Sequence, residues 1–125
     1  MPKWGLDSIK FAASNNPKRP IILLIDNNSK NLLRIRQDFL LIVLLDDNFI
    51  ELCNMRGAVN LTNVFWINTA KRLKIIYLYC KNAKIKSFFH AEIDNLVFDL
   101  NDLEVEFNKS GRGFFAPKDS ATRVI

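Results

Sequence analysis

The segment FFHAEIDNLVFDL, residues 88 to 100, holds the only histidine of the chain and two closely spaced carboxylates within an otherwise apolar run. His90, Glu92 and Asp94 alternate. In an extended strand, residues i and i+2 point to the same face. The three would then share one side, while Ala91 and Ile93 point into the core with Phe89. Two carboxylates side by side are costly unless a cation sits between them. A hard divalent ion such as Mg²⁺ or Mn²⁺ accepts oxygen ligands of this kind, and a diphosphate commonly completes its shell. The spacing therefore admits a metal–nucleotide clamp at a strand end. It equally admits the solvated face of an ordinary strand, because carboxylates cap strands and start turns on many surfaces. His90 also admits two roles: a structural histidine, or a hydrogen-bonding partner for a phosphate or carboxylate.

The elements that must position these residues follow from hydrophobic patterning. Residues 6–14 are expected to be helical, with Leu6, Ile9 and Ala13 at helical spacing. NNPKRP (15–20) breaks that helix. IILLID (21–26) is apolar without alternation, which implies burial on both faces, as in a parallel sheet. Ser29 is expected to cap a short helix over KNLLRIRQ. FLLIVLL (39–45) reads as a second strand, with a buried helix as the alternative. DNFIELCNM is expected to form a short helix ending before Gly57. Residues 60–84 form the longest helical candidate, capped by Thr62 or Asn63, with Ile67, Ala70, Leu73, Tyr77 and Cys80 on its inward face. IKSFFHAEID is expected to be a third strand, and NDLEVEF (101–107) a helix with Asn101 as its cap and Glu104 three residues on. GRG (111–113) is expected to turn, and GFFAPKD to begin a further strand. This alternation predicts an α/β layered domain, in which ligands bind beyond the carboxyl ends of the strands.

Composition narrows the partners. The 125 residues suit one domain, and the 49% hydrophobic content is that of a folded chain. The net charge of +5 favours anionic partners: nucleotides, membrane surfaces or nucleic acid. Cys53 and Cys80 form no CxxC and have no histidine nearby, so they read as buried core thiols rather than a zinc site or disulfide. Trp4 and Trp66 read as core or interface aromatics. No apolar leader follows Met1, and no apolar run is long enough for a membrane span. A cytoplasmic, non-spanning chain is expected. GxSxG, P-loop and GxGxxG motifs are all absent.

The stretch TAKRLKIIYLYCKNAKIKSFFHAEIDNLVFDLNDL (69–103) resembles bacterial glycosyltransferases of the GT-A type, in which a helix carrying an arginine leads into an apolar strand and a DxD-like acidic motif. SIKFAASNNPKRPIILLIDN looks like the opening strand of such enzymes. The resemblance places Arg72 at the helix arginine and Glu92 and Asp94 at the acidic pair, with Glu in the first position. It implies a three-layer Rossmann-like fold with a mostly parallel sheet flanked by helices. Residues 1–125 would then form a single α/β domain, the nucleotide-sugar-binding half of a transferase, in a truncated or partial chain. It further implies a nucleotide-diphosphate sugar donor, Mn²⁺ or Mg²⁺, and a saccharide or lipid-linked acceptor reached by peripheral contact at the inner membrane face. Asp94 would be the main metal ligand. Glu92 would reach the metal through water, or bind the sugar and ribose hydroxyls. Arg72, His90, Glu92 and Asn95 are the candidate donor-binding residues, and no catalytic base is assigned.

Two other classes remain open. One is a non-catalytic α/β interaction module, or a degenerate transferase, in which Glu92 and Asp94 are turn residues. The other is a nucleic-acid binder using Lys71, Arg72, Lys74, Lys81, Lys84 and Lys86, with Tyr77 or Tyr79 stacking on bases. No RNP, KH or helix-turn-helix pattern accompanies those cations.

Overall fold

The computed structural model describes Met1, residues 3–54 and residues 64–110. Its elements are helix α1 (Lys3–Asn15), strand β1 (Ile21–Ile25), a 3₁₀ helix (Asn27–Arg34), strand β2 (Leu40–Leu44), and helices α2 (Asp47–Leu52), α3 (Val64–Asn82) and α4 (Asn101–Ser110). The chain divides into two compact units. One comprises Pro20–Glu92 with Met1, the other Pro2–Arg19 with Ile93–Ile125.

The first unit is mixed α/β. Its sheet consists of β1 and β2 in parallel, in register from Ile21↔Leu40 to Ile25↔Leu44. Both expected strands form, and they form side by side, as uninterrupted apolar runs favour. Backbone bonds close the ladder at each end: Ile21 N–H donates to the Phe39 carbonyl at 3.1 Å, and Leu45 N–H to the Ile25 carbonyl at 2.8 Å. Ile25 and Leu45 are buried, with Cys53 at 0% exposure and Cys80 at 8%. Both cysteines are free thiols, as their spacing suggested.

Each strand runs into a capping aspartate. The Asp26 carboxylate accepts from Ser29 N–H at 3.1 Å and starts the 3₁₀ helix. Asp46 accepts from Phe49 N–H at 2.7 Å and starts α2. The cap after β1 is thus Asp26 and not Ser29. Ser29 lies three residues on, where its backbone N–H needs an acceptor.

Helix α3 forms as expected, though its inward face differs from the expected one. Cys80 is buried, but Leu73 and Tyr77 stand 55% and 60% exposed. Apolar residues occur on every side of this helix, so spacing alone does not single out the face that packs. The turn that follows the helix contains Lys84, whose φ of 56° is left-handed. Ile85 N–H then donates back to the Cys80 carbonyl at 2.9 Å, a helix-ending turn that usually uses glycine.

The second unit is organised by Asn16, which is 7% exposed. Its Nδ2 donates to the Ala12 carbonyl at 3.0 Å and the Phe98 carbonyl at 2.9 Å, and its Oδ1 accepts from Leu100 N–H at 3.0 Å. One side chain therefore ties the end of α1 to the segment entering α4. Ile9 and Ala13 are buried on α1, and Phe11 meets Phe98 edge-on at 5.2 Å. Arg19 donates to Glu104 at 2.6 Å and to Asn101 at 3.0 Å. Asn101 is the first residue of α4 rather than its cap. Its N–H goes to the Asp99 carboxylate at 2.9 Å, and Glu104 spends its carboxylate on Arg19 instead of reaching back along the helix.

The expected third strand does not form. Residues 85–92 have no regular structure, and the chain turns at Ile93–Asp94. Phe88 and Phe89 are 53% and 45% exposed, so Phe89 is not a core residue. A strand needs a hydrogen-bonded neighbour as well as an apolar pattern, and this run has none along β1 or β2. The Thr62 or Asn63 cap, the turn at 111–113 and the further strand from Gly113 lie outside the described residues.

Candidate functional site

Three of the sequence-predicted site residues come together in the first unit. Helix α3 presents Arg72 on an exposed position, and the left-handed turn at Lys84 redirects the chain into the segment carrying His90 and Glu92. The Arg72 Nη1 donates to the Glu92 Oε1 in an ion pair, with both side chains about half exposed. A pair so exposed contributes little to stability, of order 0–1 kcal/mol. Its effect is orientation: Glu92 is held by the helix arginine twenty residues before it.

His90 senses both charges. Loss of hydration at the ring pushes its pKa below the usual histidine value; Glu92 pulls it up and Arg72 pushes it down. The imidazole is therefore mostly neutral at pH 7, with one nitrogen donating and one accepting. Because the lowered pKa belongs to the folded state, stability declines as pH falls through the ordinary histidine range near ~6.5, and the loss is complete below the folded pKa. As the only histidine, His90 gives a single imidazole signal in a proton NMR titration. Arg72→Gln is expected to raise its pKa, and Glu92→Gln to lower it further. Equal midpoints in all three proteins would show that the ion pair does not face the ring.

Asp94 and Asn95 are exposed and lie in the turn at 93–95, beyond the boundary at Glu92, so they belong to the second unit. The alternation expected to put Glu92 and Asp94 on one face is interrupted by that turn. Among the described residues, no three of His, Cys, Asp and Glu gather to hold a metal ion.

Two open depressions were not foreseen in the sequence. One, of about 300 Å³ in the second unit, is lined by Asn15, Asn16, Arg19, Asn101 and Glu104 among others. The other, of about 540 Å³, lies between α2 and α3 and is lined by Asn48, Glu51, Leu52, Asn54 and Lys74. Their residues come from distant parts of the chain with no motif linking them. In the sequence, NNP signals only a loop.

No protein-family model, curated protein or solved structure matches this chain.

Proposed function

We propose that the chain is the donor-binding part of a GT-A-type glycosyltransferase, acting on a nucleotide-diphosphate sugar and serving a saccharide or lipid-linked acceptor. The observation that carries this reading is the Arg72–Glu92 ion pair. The pair brings the helix arginine beside the first acid of the DxD-like motif, which supports a shared role in binding a donor. A guanidinium has five N–H donors in a planar fork. With one arm on Glu92, the others remain for diphosphate oxygens. Glu92, held in place by Arg72, offers its second oxygen to a ribose or sugar hydroxyl. Neutral His90 adds one donor and one acceptor beside them. The parallel strands, each ending at an aspartate, agree with a three-layer Rossmann-like architecture, of which the described sheet would form one part.

Carboxylate oxygens suit Mn²⁺ or Mg²⁺, and such ions need only one or two carboxylates when phosphates and water complete the shell. Asp94 would be the residue that holds such an ion, which would supply positive charge to offset that of a diphosphate. Uridine diphosphate with Mn²⁺, at about a hundred times its dissociation constant, is expected to stabilise the protein by about 2.7 kcal/mol, a rise of several degrees in melting temperature. Asp94→Ala is expected to remove the metal-dependent part of that rise. If a panel of nucleoside diphosphates and their sugars gives no shift with or without metal, the donor-binding reading is wrong.

A second reading, a non-catalytic interaction module, is favoured by the lack of strand structure at residues 85–92. It predicts that metal and nucleotides leave the melting temperature unchanged.

A further inference from the structure

Helix α3 and the segment after it carry an unusual pairing of charge and exposed apolar surface. From Val64 to Ala91 there are six lysines and arginines and no carboxylate. On α3, Trp66, Leu73 and Tyr77 are 42%, 55% and 60% exposed. At about 100° per residue, their spacing of seven and four keeps them within about 40° around the helix axis. The same geometry puts Lys81 and Lys74 along one border of the stripe. Phe65 lies edge-on to Trp66 at 5.2 Å and widens its apolar base. Leu52, 72% exposed, shares a depression with Lys74 and adds apolar surface on that side, beside Glu51 and two asparagines.

We infer that this face of α3 docks on an anionic lipid surface. Tryptophan and tyrosine favour the membrane–water interface, where the ring is buried and its polar edge stays wet. Lysines beside them meet lipid phosphates, and their long stems let the charge stay at headgroup depth. The acid-free charge of the segment complements a leaflet rich in anionic lipid and has no self-complementary partner for a second copy of the same face. Exposed Leu73 and Leu52 favour acyl chains over nucleic acid, because an aliphatic side chain gains nothing by stacking on a base. The helix lies on the membrane and does not cross it: no helix among the described residues is long and apolar enough to span a bilayer. Surface docking of this kind needs no donor and is independent of the transferase reading.

The test is co-sedimentation of the full chain with vesicles of pure phosphatidylcholine and of phosphatidylcholine mixed equally with phosphatidylglycerol. Binding is expected only to the mixed vesicles and should weaken as salt rises. In a Trp4→Phe background the fluorescence of Trp66 should shift to the blue on binding. Lys81→Gln with Lys86→Gln, both exposed positions, should weaken binding on the order of 30-fold. Leu73→Gln should weaken it with the charge unchanged. Circular dichroism of each variant separates loss of binding from loss of fold. Unaltered binding in folded variants would overturn the inference. So would tighter binding to a single-stranded oligonucleotide that the same substitutions abolish, or a dimer that buries Trp66 in the absence of lipid.

Discussion

Replacing Asn16 with leucine is expected to destabilise the protein by about 3 kcal/mol. The side chain is almost fully buried and makes three hydrogen bonds, two of them to the segment that enters α4. Leucine has the same branching and heavy-atom count, though it is bulkier, and can neither donate nor accept. Leu100 N–H and the Phe98 carbonyl would then be left without their partner. An unmade buried bond costs more than a made one contributes, because the stranded group has also lost water. Thermal unfolding should show a drop of roughly 10 °C. Hydrogen exchange should show protection lost first at the Leu100 amide. Asn16→Asp sharpens the test. It keeps the acceptor for Leu100 but aims a carboxylate at two carbonyl oxygens, so it should cost at least as much at neutral pH and less in acid. A leucine variant as stable as wild type would mean that packing, Phe11 against Phe98 above all, holds this segment without Asn16.

The second large effect is expected at Ile25. It ends β1 at 5% exposure, pairs with Leu44 and accepts a backbone bond from Leu45 at 2.8 Å. Ile25→Ala removes apolar contact in a small core that cannot fully collapse around the gap, and should cost about 3 kcal/mol. Leu41→Ala is the matched control. It lies on the neighbouring strand but is 55% exposed, so its cost should stay below about 1 kcal/mol. Urea unfolding of the two variants measures the difference directly. Equal losses would mean that Leu41 is covered in solution by something beyond the described chain.

These two sites show how unevenly the sequence reports the molecule. Ile25 was legible only in part: an apolar run with no alternation predicts burial on both faces, and the structure does pair that run with its apolar neighbour, but Ile25 alone of the two strands is buried and Leu41 stands 55% exposed. Helix α3 was legible as a helix but not in its orientation, because its apolar residues surround the axis. The strand expected through Phe88 and Phe89 failed since periodicity describes one segment, whereas a strand is a property of two. Asn16 and Arg19 stand in a stretch that signals only a loop, and nothing local indicates that their partners lie more than eighty positions away. At the candidate site, the sequence singled out Arg72 and Glu92 separately, and their ion pair was not foreseen, because nothing local brings together residues twenty positions apart. Asp94 lies within a turn that spacing alone could not foresee.

The two buried thiols have a further consequence. Cys53 and Cys80 both lie in the Pro20–Glu92 unit. Cys53 has no exposed surface, and burial pushes the Cys80 thiol above its usual pKa, away from the reactive thiolate. A soluble alkylating reagent can reach the Cys53 sulfur only in molecules where that unit has opened, while Cys80 keeps 8% of its surface exposed and is slowed chiefly by its raised pKa. The alkylation rate of Cys53 therefore works as a clock on the opening of one unit, built in without any added label and blind to motions of the other, which contains no described cysteine.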